Sequence, residues 1–193
     1  MKIFLIHDPL RKDRELLFTK EFTEQGITEW ELMPAVKNLA KVTLNIAEAH
    51  KNCIRRAQKE NLPQCVIMED DLAFSAPGAY NRFLEFFKEL PENWNVFTSG
   101  SYDYQAAAAT ESLFENIIKL QRFSGLHCYA VNSVYYDKFL DVNVTGHFDK
   151  LLRGNLYMTY PMLCLQHPGF SNTVNRQVNY NITHAKNIKL WKP

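Results

Sequence analysis

The chain lacks an excess of charge of either sign, with 22 Lys and Arg against 21 Asp and Glu over 193 residues. No global field therefore recommends nucleic acid or an acidic membrane as the principal partner, and any charged site must be local. Long hydrophobic runs are missing too. The apolar stretch at residues 3–6 is stopped at once by His7, Asp8 and Pro9, far short of the roughly 20 residues of a membrane span and of a signal-peptide core. No membrane span is expected. The four cysteines, Cys53, Cys65, Cys128 and Cys164, show no Cys-x-x-Cys spacing. Their apolar or helical neighbours favour reduced core thiols over disulfides or a zinc site, which fits the cytoplasm. In that setting the sequons at Asn143 and Asn181 carry little meaning. Nor is there a Walker-type glycine run, which a nucleotidyltransferase or hydrolase built on a phosphate loop would need. No internal repeat or linker interrupts the chain.

What is present suffices for one core. Hydrophobic residues make up 46% of the sequence, and the length suits a single domain over residues 1–193, since domains run roughly 100–200 residues. Residues 2–7 read as a strand. Asp8 and Pro9 turn it into a helix with Leu17, Phe18 and Phe22 on its apolar side, ended by Gly26. A second short strand and loop lie within residues 27–36, and Ile46, Ala49, His50, Cys53, Ile54 and Ala57 recur at helical spacing until residues 61–63 break the helix. Tyr80, Phe83, Leu84, Phe87 and Leu90 give another helix, closed by Pro91, before a strand at residues 94–98. This βα rhythm implies a largely parallel sheet with crossover helices.

Residues 99–112 lose the pattern and read as a mobile loop. Residues 117–120 and 126–131 read as strands meeting around residues 123–125, with Ser133 able to cap a helix through Leu140. His147 begins a short helical piece, and extended segments follow at 156–160 and 162–165. Residues 174–193 form a basic C-terminal tail that holds Arg176, Lys186, Lys189 and Lys192 and no acid.

The most informative stretch is residues 64–74, where the apolar run Val66, Ile67, Met68 breaks without a turn residue into Glu69, Asp70 and Asp71. Burying one unpartnered carboxylate costs several kcal/mol, so three at a strand end need a cation, solvent or several hydrogen-bond donors. A divalent metal is the simplest partner. Strand alternation would put Glu69 and Asp71 on one side and Asp70 on the other, so that the outer pair shares a hard ion while Asp70 holds backbone or a sugar hydroxyl. The plain alternative is a solvated acidic turn after an edge strand.

The order of these signals resembles the family 25 glycosyltransferases, of the lipopolysaccharide-biosynthesis and collagen-galactosyltransferase type. The opening Ile6 to Arg14 is similar to the family's strand and basic helix start, and residues 30–36 to its Pro-Ala-Val segment. Ala49 and His50 stand where the family has Ser-His, and Glu69, Asp70 and Asp71 stand as its acidic, DxD-like signature. Residues 90–100, 125–129, 147–149 and 166–171 resemble later blocks. The family's Ser-Asp near the end reads Ser171 and Asn172 here.

The resemblance implies a glycosyltransferase A fold, a Rossmann-like mixed sheet flanked by helices in a single α/β domain. It also implies transfer of a sugar from a nucleotide-sugar donor, UDP-linked, to a hydroxyl of a glycan or other acceptor, assisted by Mn²⁺ or Mg²⁺. A metal held by hard oxygens would neutralise the leaving diphosphate as a Lewis acid. On that reading Asp71 and Glu69 are metal ligands and His167 completes the sphere; the alternative for His167 is a satisfied loop histidine. Arg14, His50, Asp70, Gln166 and Ser171 fall on the donor side. Arg14 would hold phosphate or base, or else be an exposed helix charge, and the apolar helix face that carries His50 favours a core histidine tied to a backbone carbonyl over a ligand. The family's inverting chemistry needs a base opposite the leaving group, for which Asp149 is the first candidate and Asp103 the reserve. The alternatives are a sugar- or nucleotide-binding protein without transfer activity, and a glycosyltransferase acting on modified nucleic acid, suggested by the basic tail with Tyr180 and Trp191.

Overall fold

The computed structural model describes residues 1–107, 116–171, 174–184, 186 and 188–193. The first strand, β1 (Ile3–His7), is apolar in every residue but the last and is buried throughout. That is the pattern of a strand covered on both faces. Helix α1 (Lys12–Gln25) follows and stops at Gly26, whose φ of +67° and N–H donation to the Phe22 and Thr23 carbonyls close the helix. Glycine enters this left-handed region without a Cβ clash. The chain then runs through β2 (Glu31–Pro34), α2 (Val42–Lys59), β3 (Gln64–Glu69), a short β4 (Leu72–Phe74) and α3 (Ala79–Phe86). Strands β5 (Val96–Thr98), β6 (Asp103–Ala106), β7 (Ile117–Ser124) and β8 (Cys128–Asn132) come next, then α4 (Tyr136–Leu140) and β9 (Leu156–Thr159). Three short strands, β10 (Cys164–Gln166), β11 (Gly169–Ser171) and β12 (Arg176–Val178), and one turn of helix α5 (Tyr180–Thr183) complete it.

Eight strands form one sheet in the order β2-β1-β3-β8-β5-β9-β7-β6. Alternation along β1 and β3 splits the core. Ile3, Leu5, Val66 and Met68 pack with Phe18 and Phe22 of α1 and Phe83 and Phe86 of α3. Phe4, Ile6, Cys65 and Ile67 pack with Cys53 and Ile54 of α2 and Phe139 of α4. One helix layer therefore covers each face, and both are fixed by the period of two along the strands.

Several expectations need correction. The sheet is mixed rather than largely parallel: β1 pairs in parallel with β2 and β3, and β5 with β9, but β8 enters antiparallel between β3 and β5, and β7 is antiparallel to β9 and β6. Helices α1 and α2 join β1, β2 and β3, the parallel part of the sheet, whereas β8 follows β7 through the short link 125–127 and enters between β3 and β5. Strands β7 and β8 do not meet, because β5 and β9 lie between them. The stretch read as a mobile loop contributes an edge strand, β6, paired with β7; its residues 108–112 lie outside the described residues. The helix after β8 begins as a 3₁₀ turn, and Asn132 rather than Ser133 accepts the capping bond, from the Val134 N–H.

All four cysteines are free and buried, and burial pushes the Cys65 thiol up to about 12, where it stays protonated. Residues of the basic tail fold back on the domain. The Trp191 N–H donates to the Met162 carbonyl at 2.9 Å, and Trp191 packs against the core. Among the described residues no helix is long and apolar enough to cross a membrane.

Phe83 is fully buried and stacks on Phe97 with centroids 5.0 Å apart. Phe83→Ala should cost about 3–5 kcal/mol in urea unfolding, the usual loss for a fully buried aromatic. A loss under about 1 kcal/mol would mean that this helix layer is not part of the cooperative core.

Candidate functional site

Strand order β2-β1-β3 reverses direction at β1, with α1 and α2 leaving on opposite faces. That reversal opens a crevice at the carboxyl ends of β1 and β3, the usual ligand position in such sheets. His7 ends β1 and Glu69 ends β3. The strand alternation expected to separate Asp70 from Glu69 and Asp71 does not apply, because β3 stops at Glu69 and the other two form the turn into β4. All three acids line one cleft of about 450 Å³. Nor is this a solvated turn on an edge strand. β3 lies inside the sheet, and Asp70 and Asp71 are only 5% and 4% exposed.

Arg14 makes that burial tolerable. Its Nη1 lies 2.6 Å from Asp70 Oδ1 and 2.8 Å from Asp71 Oδ2, and its Nη2 donates to the Phe170 carbonyl at 3.3 Å. One guanidinium thus joins α1, the acid turn and β11, a use of the planar fork that lysine could not match. Asp70 also accepts from His7 Nδ1 at 2.8 Å. Since that carboxylate only accepts, Nδ1 carries the proton, leaving His7 Nε2 buried without a partner.

Glu69 is held from the other face. His50 Nε2 donates to Glu69 Oε1 at 3.1 Å, and His50 Nδ1 accepts from the Tyr129 hydroxyl at 2.8 Å. The partners of His50 are therefore side chains and not the backbone carbonyl expected. Burial pushes the Glu69 carboxyl up, but the His50 hydrogen bond and nearby positive charge outweigh it and leave it below its ordinary value. Asp71 goes the opposite way. Burial first, and then the charge of Glu69, raise it to about 7 against the pull of Arg14. Its Oδ2 accepts from Gln166 Nε2 at 2.7 Å, while Oδ1 is buried without a partner.

The same cleft carries Arg11 and Lys37 near its mouth and an apolar side that includes Ile6, Val36 and Ile46. Lys37 pairs with Asp8 at 2.6 Å. A second cavity of about 120 Å³ adjoins it, sharing Ile46, Glu69, Gln166 and Ser171 and adding Asp149, Tyr102 and Tyr180. Asp149 is gripped by backbone, its two oxygens accepting from the Gly125 and Lys150 N–H groups, each at 2.8 Å. Burial raises its carboxyl above the ordinary value, with Glu69 adding to the rise and the two backbone donors opposing it. Gly125 is obligatory here: its φ is +107°, and a Cβ would lie 2.8 Å from His127 Cε1 and 3.1 Å from Tyr102 Cε1.

Of the residues expected at the site, Glu69, Asp70, Asp71, Arg14, His50, Gln166 and Ser171 line the first cleft, and Asp149 lines the second. His167 and Asp103 line neither. His167 Nε2 bonds Glu21 at 2.8 Å, and Asp103 sits on β6 within 3.6 Å of Arg122 and 3.8 Å of Lys150. The sequence reading missed His7, Tyr102, Gly125 and Tyr129. A histidine closing an apolar strand and a glycine two residues before His127 were signals in plain view, whereas the stacking of Tyr102 on Tyr180 at 4.5 Å left none.

A divalent ion is tested by these groups. Among the described residues no set of three or more His, Cys, Asp or Glu side chains is arranged to hold a metal alone. The orphaned Asp71 Oδ1 beside Glu69 fits an ion whose remaining ligands are phosphate oxygens and water, the habit of Mg²⁺.

No family model matches the chain, and no curated protein sequence does. Solved structures do. A glycosyltransferase involved in glycosylation of the major capsid of PBCV-1 superposes with a TM-score of 0.52 at 12% identity, over 96% of this chain and 98% of that one. Protein A197 from STIV gives 0.51 at 10% identity over 92% of each chain. The fold is of the glycosyltransferase A type. In this fold the acid turn sits at the carboxyl ends of β1 and β3, with Glu69 lining both cavities.

The raised Asp71 carboxyl has a consequence for stability. Its folded value of about 7 exceeds the ordinary 3.8, so between those values the folded state holds the proton that the unfolded chain has lost, and stability falls as pH rises. In chelator, Asp71→Asn should therefore be more stable than the wild type at pH 8 and converge with it near pH 4. Lower stability of the variant at pH 8 would show that the Arg14 pairing outweighs burial and crowding.

Proposed function

We propose that this chain transfers a sugar from a nucleotide-sugar donor to an acceptor hydroxyl. The observation that carries the reading is the acid turn at residues 69–71, whose Glu69 forms a wall common to a large cleft and a small cavity. Two adjoining cavities suit two substrates. The larger has the size of a small-molecule site, about 300–1,000 Å³, with cations and an apolar side for a diphosphate and a base. That the donor is UDP-linked, and that the enzyme is of the family 25 kind, are parts of this proposal supported by the order of motifs along the chain.

Arg11, Arg14 and Lys37 would meet the donor's phosphates, and the apolar side around Val36 its base. Asp71 Oδ1 and Glu69 would hold Mn²⁺ or Mg²⁺, which when bound supplies Lewis-acid neutralisation of the leaving diphosphate. His50, held by Tyr129, keeps the Glu69 carboxylate fixed through its second nitrogen. Asp149 would take the acceptor proton. As the acceptor oxygen bonds to the anomeric carbon, the bond to the diphosphate breaks and its electron pair leaves with the phosphate. The proton passes to an Asp149 oxygen, and attack opposite the leaving group inverts the centre. Burial makes Asp149 a better proton acceptor than a solvated carboxylate, and the Gly125 and Lys150 N–H groups fix its direction.

Calorimetry with UDP tests the donor half. UDP should bind in Mn²⁺ or Mg²⁺ and weaken at least about tenfold in chelator or in Asp71→Asn, while circular dichroism of the variant stays native. Equal UDP affinity in chelator would remove the ion from the account, and no binding at all would leave the cleft without a nucleotide. Asp149→Asn should keep UDP affinity and lower turnover by about 10²–10⁴, the usual share of a positioned base. Loss of UDP binding instead would make Asp149 a donor contact.

A further inference from the structure

We infer that the second cavity is a subsite for an uncharged pyranose, so that the acceptor is a carbohydrate presenting a neutral sugar ring. Its role as acceptor subsite rests on the transferase reading, but the binding itself does not.

The lining decides the class of ligand. Among the described residues no lysine or arginine lines this cavity, and its two carboxylates, Glu69 and Asp149, outnumber its single imidazole, His147. A phosphate or other anion brought there would meet two carboxylates with the His147 imidazole alone against them, which sets this cavity apart from the first cleft with Arg11, Arg14 and Lys37. The polar groups are those that serve hydroxyls: the Thr43 and Ser171 hydroxyls, the Gln166 amide and the Asp149 carboxylate. A carboxylate accepts from hydroxyls, and an alcohol or amide both donates and accepts, as a polyol requires.

The aromatic pair supplies the complement. Tyr102 and Tyr180 stack with centroids 4.5 Å apart and planes 10° from parallel. Each ring spends one face on the other, so it is the outer face of the pair, still electron-rich, that would attract the electropositive C–H groups on the apolar face of a pyranose. The volume of about 120 Å³ lies well below the roughly 300 Å³ at which drug-sized sites begin, which suits one ring and excludes a folded peptide. A nucleobase would also stack on tyrosine, but the phosphate it carries in a nucleic acid would meet two carboxylates and a single imidazole. The basic tail does not change this, since Lys189, Lys192 and Arg176 line neither cavity.

Saturation-transfer NMR on the full chain tests the inference, with methyl β-D-glucopyranoside and methyl β-D-galactopyranoside as probes at about 10 mM, where millimolar dissociation constants register. Glucose 6-phosphate and a short oligothymidylate serve as anionic counterparts, and UDP binding is measured alongside. At least one neutral pyranoside should receive saturation on its ring C–H protons, with affinity reduced about tenfold in Tyr180→Ala and largely kept in Tyr180→Phe. Should Tyr180→Ala lose its native circular dichroism, Thr43→Val makes the same comparison. The inference falls if UDP binds and no pyranoside does, which would leave the transferase reading standing. It falls equally if glucose 6-phosphate or the oligonucleotide binds more tightly than the neutral sugars in a manner that Tyr180→Ala weakens, which places the anion in this cavity and not in the first cleft, or if the substitutions leave pyranoside binding unchanged. Pyranoside binding without UDP binding would keep this subsite and overturn the donor cleft instead.

Discussion

The bridge from Arg14 to Asp70 and Asp71 is the contact on which the arrangement depends. A buried carboxylate without a partner costs several kcal/mol, and this chain buries two side by side with a third at the strand end before them. One guanidinium reaching from α1 answers for Asp70 and Asp71, and His50 answers for Glu69 from α2 on the other face of the sheet. The two helix layers are thus joined electrostatically at the same end of β3 whose apolar residues they cover. The compensation is deliberately incomplete in chemical terms: Asp71 keeps an orphaned oxygen and an elevated proton affinity. Cores that stored such imbalance without use would gain from an apolar replacement.

Environment separates the three acids into roles. Glu69 is held below its ordinary value and Asp71 above it, although they are two residues apart. Asp70 is consumed by Arg14 and His7 and orients the turn. Glu69 belongs to the cleft and the cavity alike, so a donor in one and an acceptor in the other would meet at a single carboxylate, with Asp149 across the smaller space. Burial of a base and exclusion of bulk water are what a group-transfer site requires to favour an acceptor over hydrolysis.

Much of this was legible because it is local. Val66 to Met68 running straight into Glu69 marked a strand end with a charge problem, and the spacing of Ile46, His50, Cys53 and Ala57 marked α2 and its buried face. Gly26 marked the end of α1. The rest depended on contacts distant in sequence. Arg14 meets Asp70 across 56 residues, Tyr129 meets His50 across 79, and Tyr102 meets Tyr180 only once β6 and α5 are in position. β6 was hidden because its residues Asp103, Tyr104, Gln105 and Ala106 are only half-buried or exposed at a sheet edge, where hydrophobic alternation is weak. The antiparallel entry of β8 is a property of the sheet and has no signature in its own apolar run. His167 looked available as a ligand until Glu21, 146 residues earlier, was found at its ring nitrogen.

Release of nucleotide from a panel of UDP-, GDP- and CMP-linked sugars, followed with and without a carbohydrate acceptor in the presence of Mn²⁺, tests the account most directly. One donor should release its nucleotide, faster when acceptor is present, with a glycoside formed in equal amount. No release from any donor with any acceptor or divalent ion would contradict it, and would leave a glycosyltransferase A fold that binds without transferring.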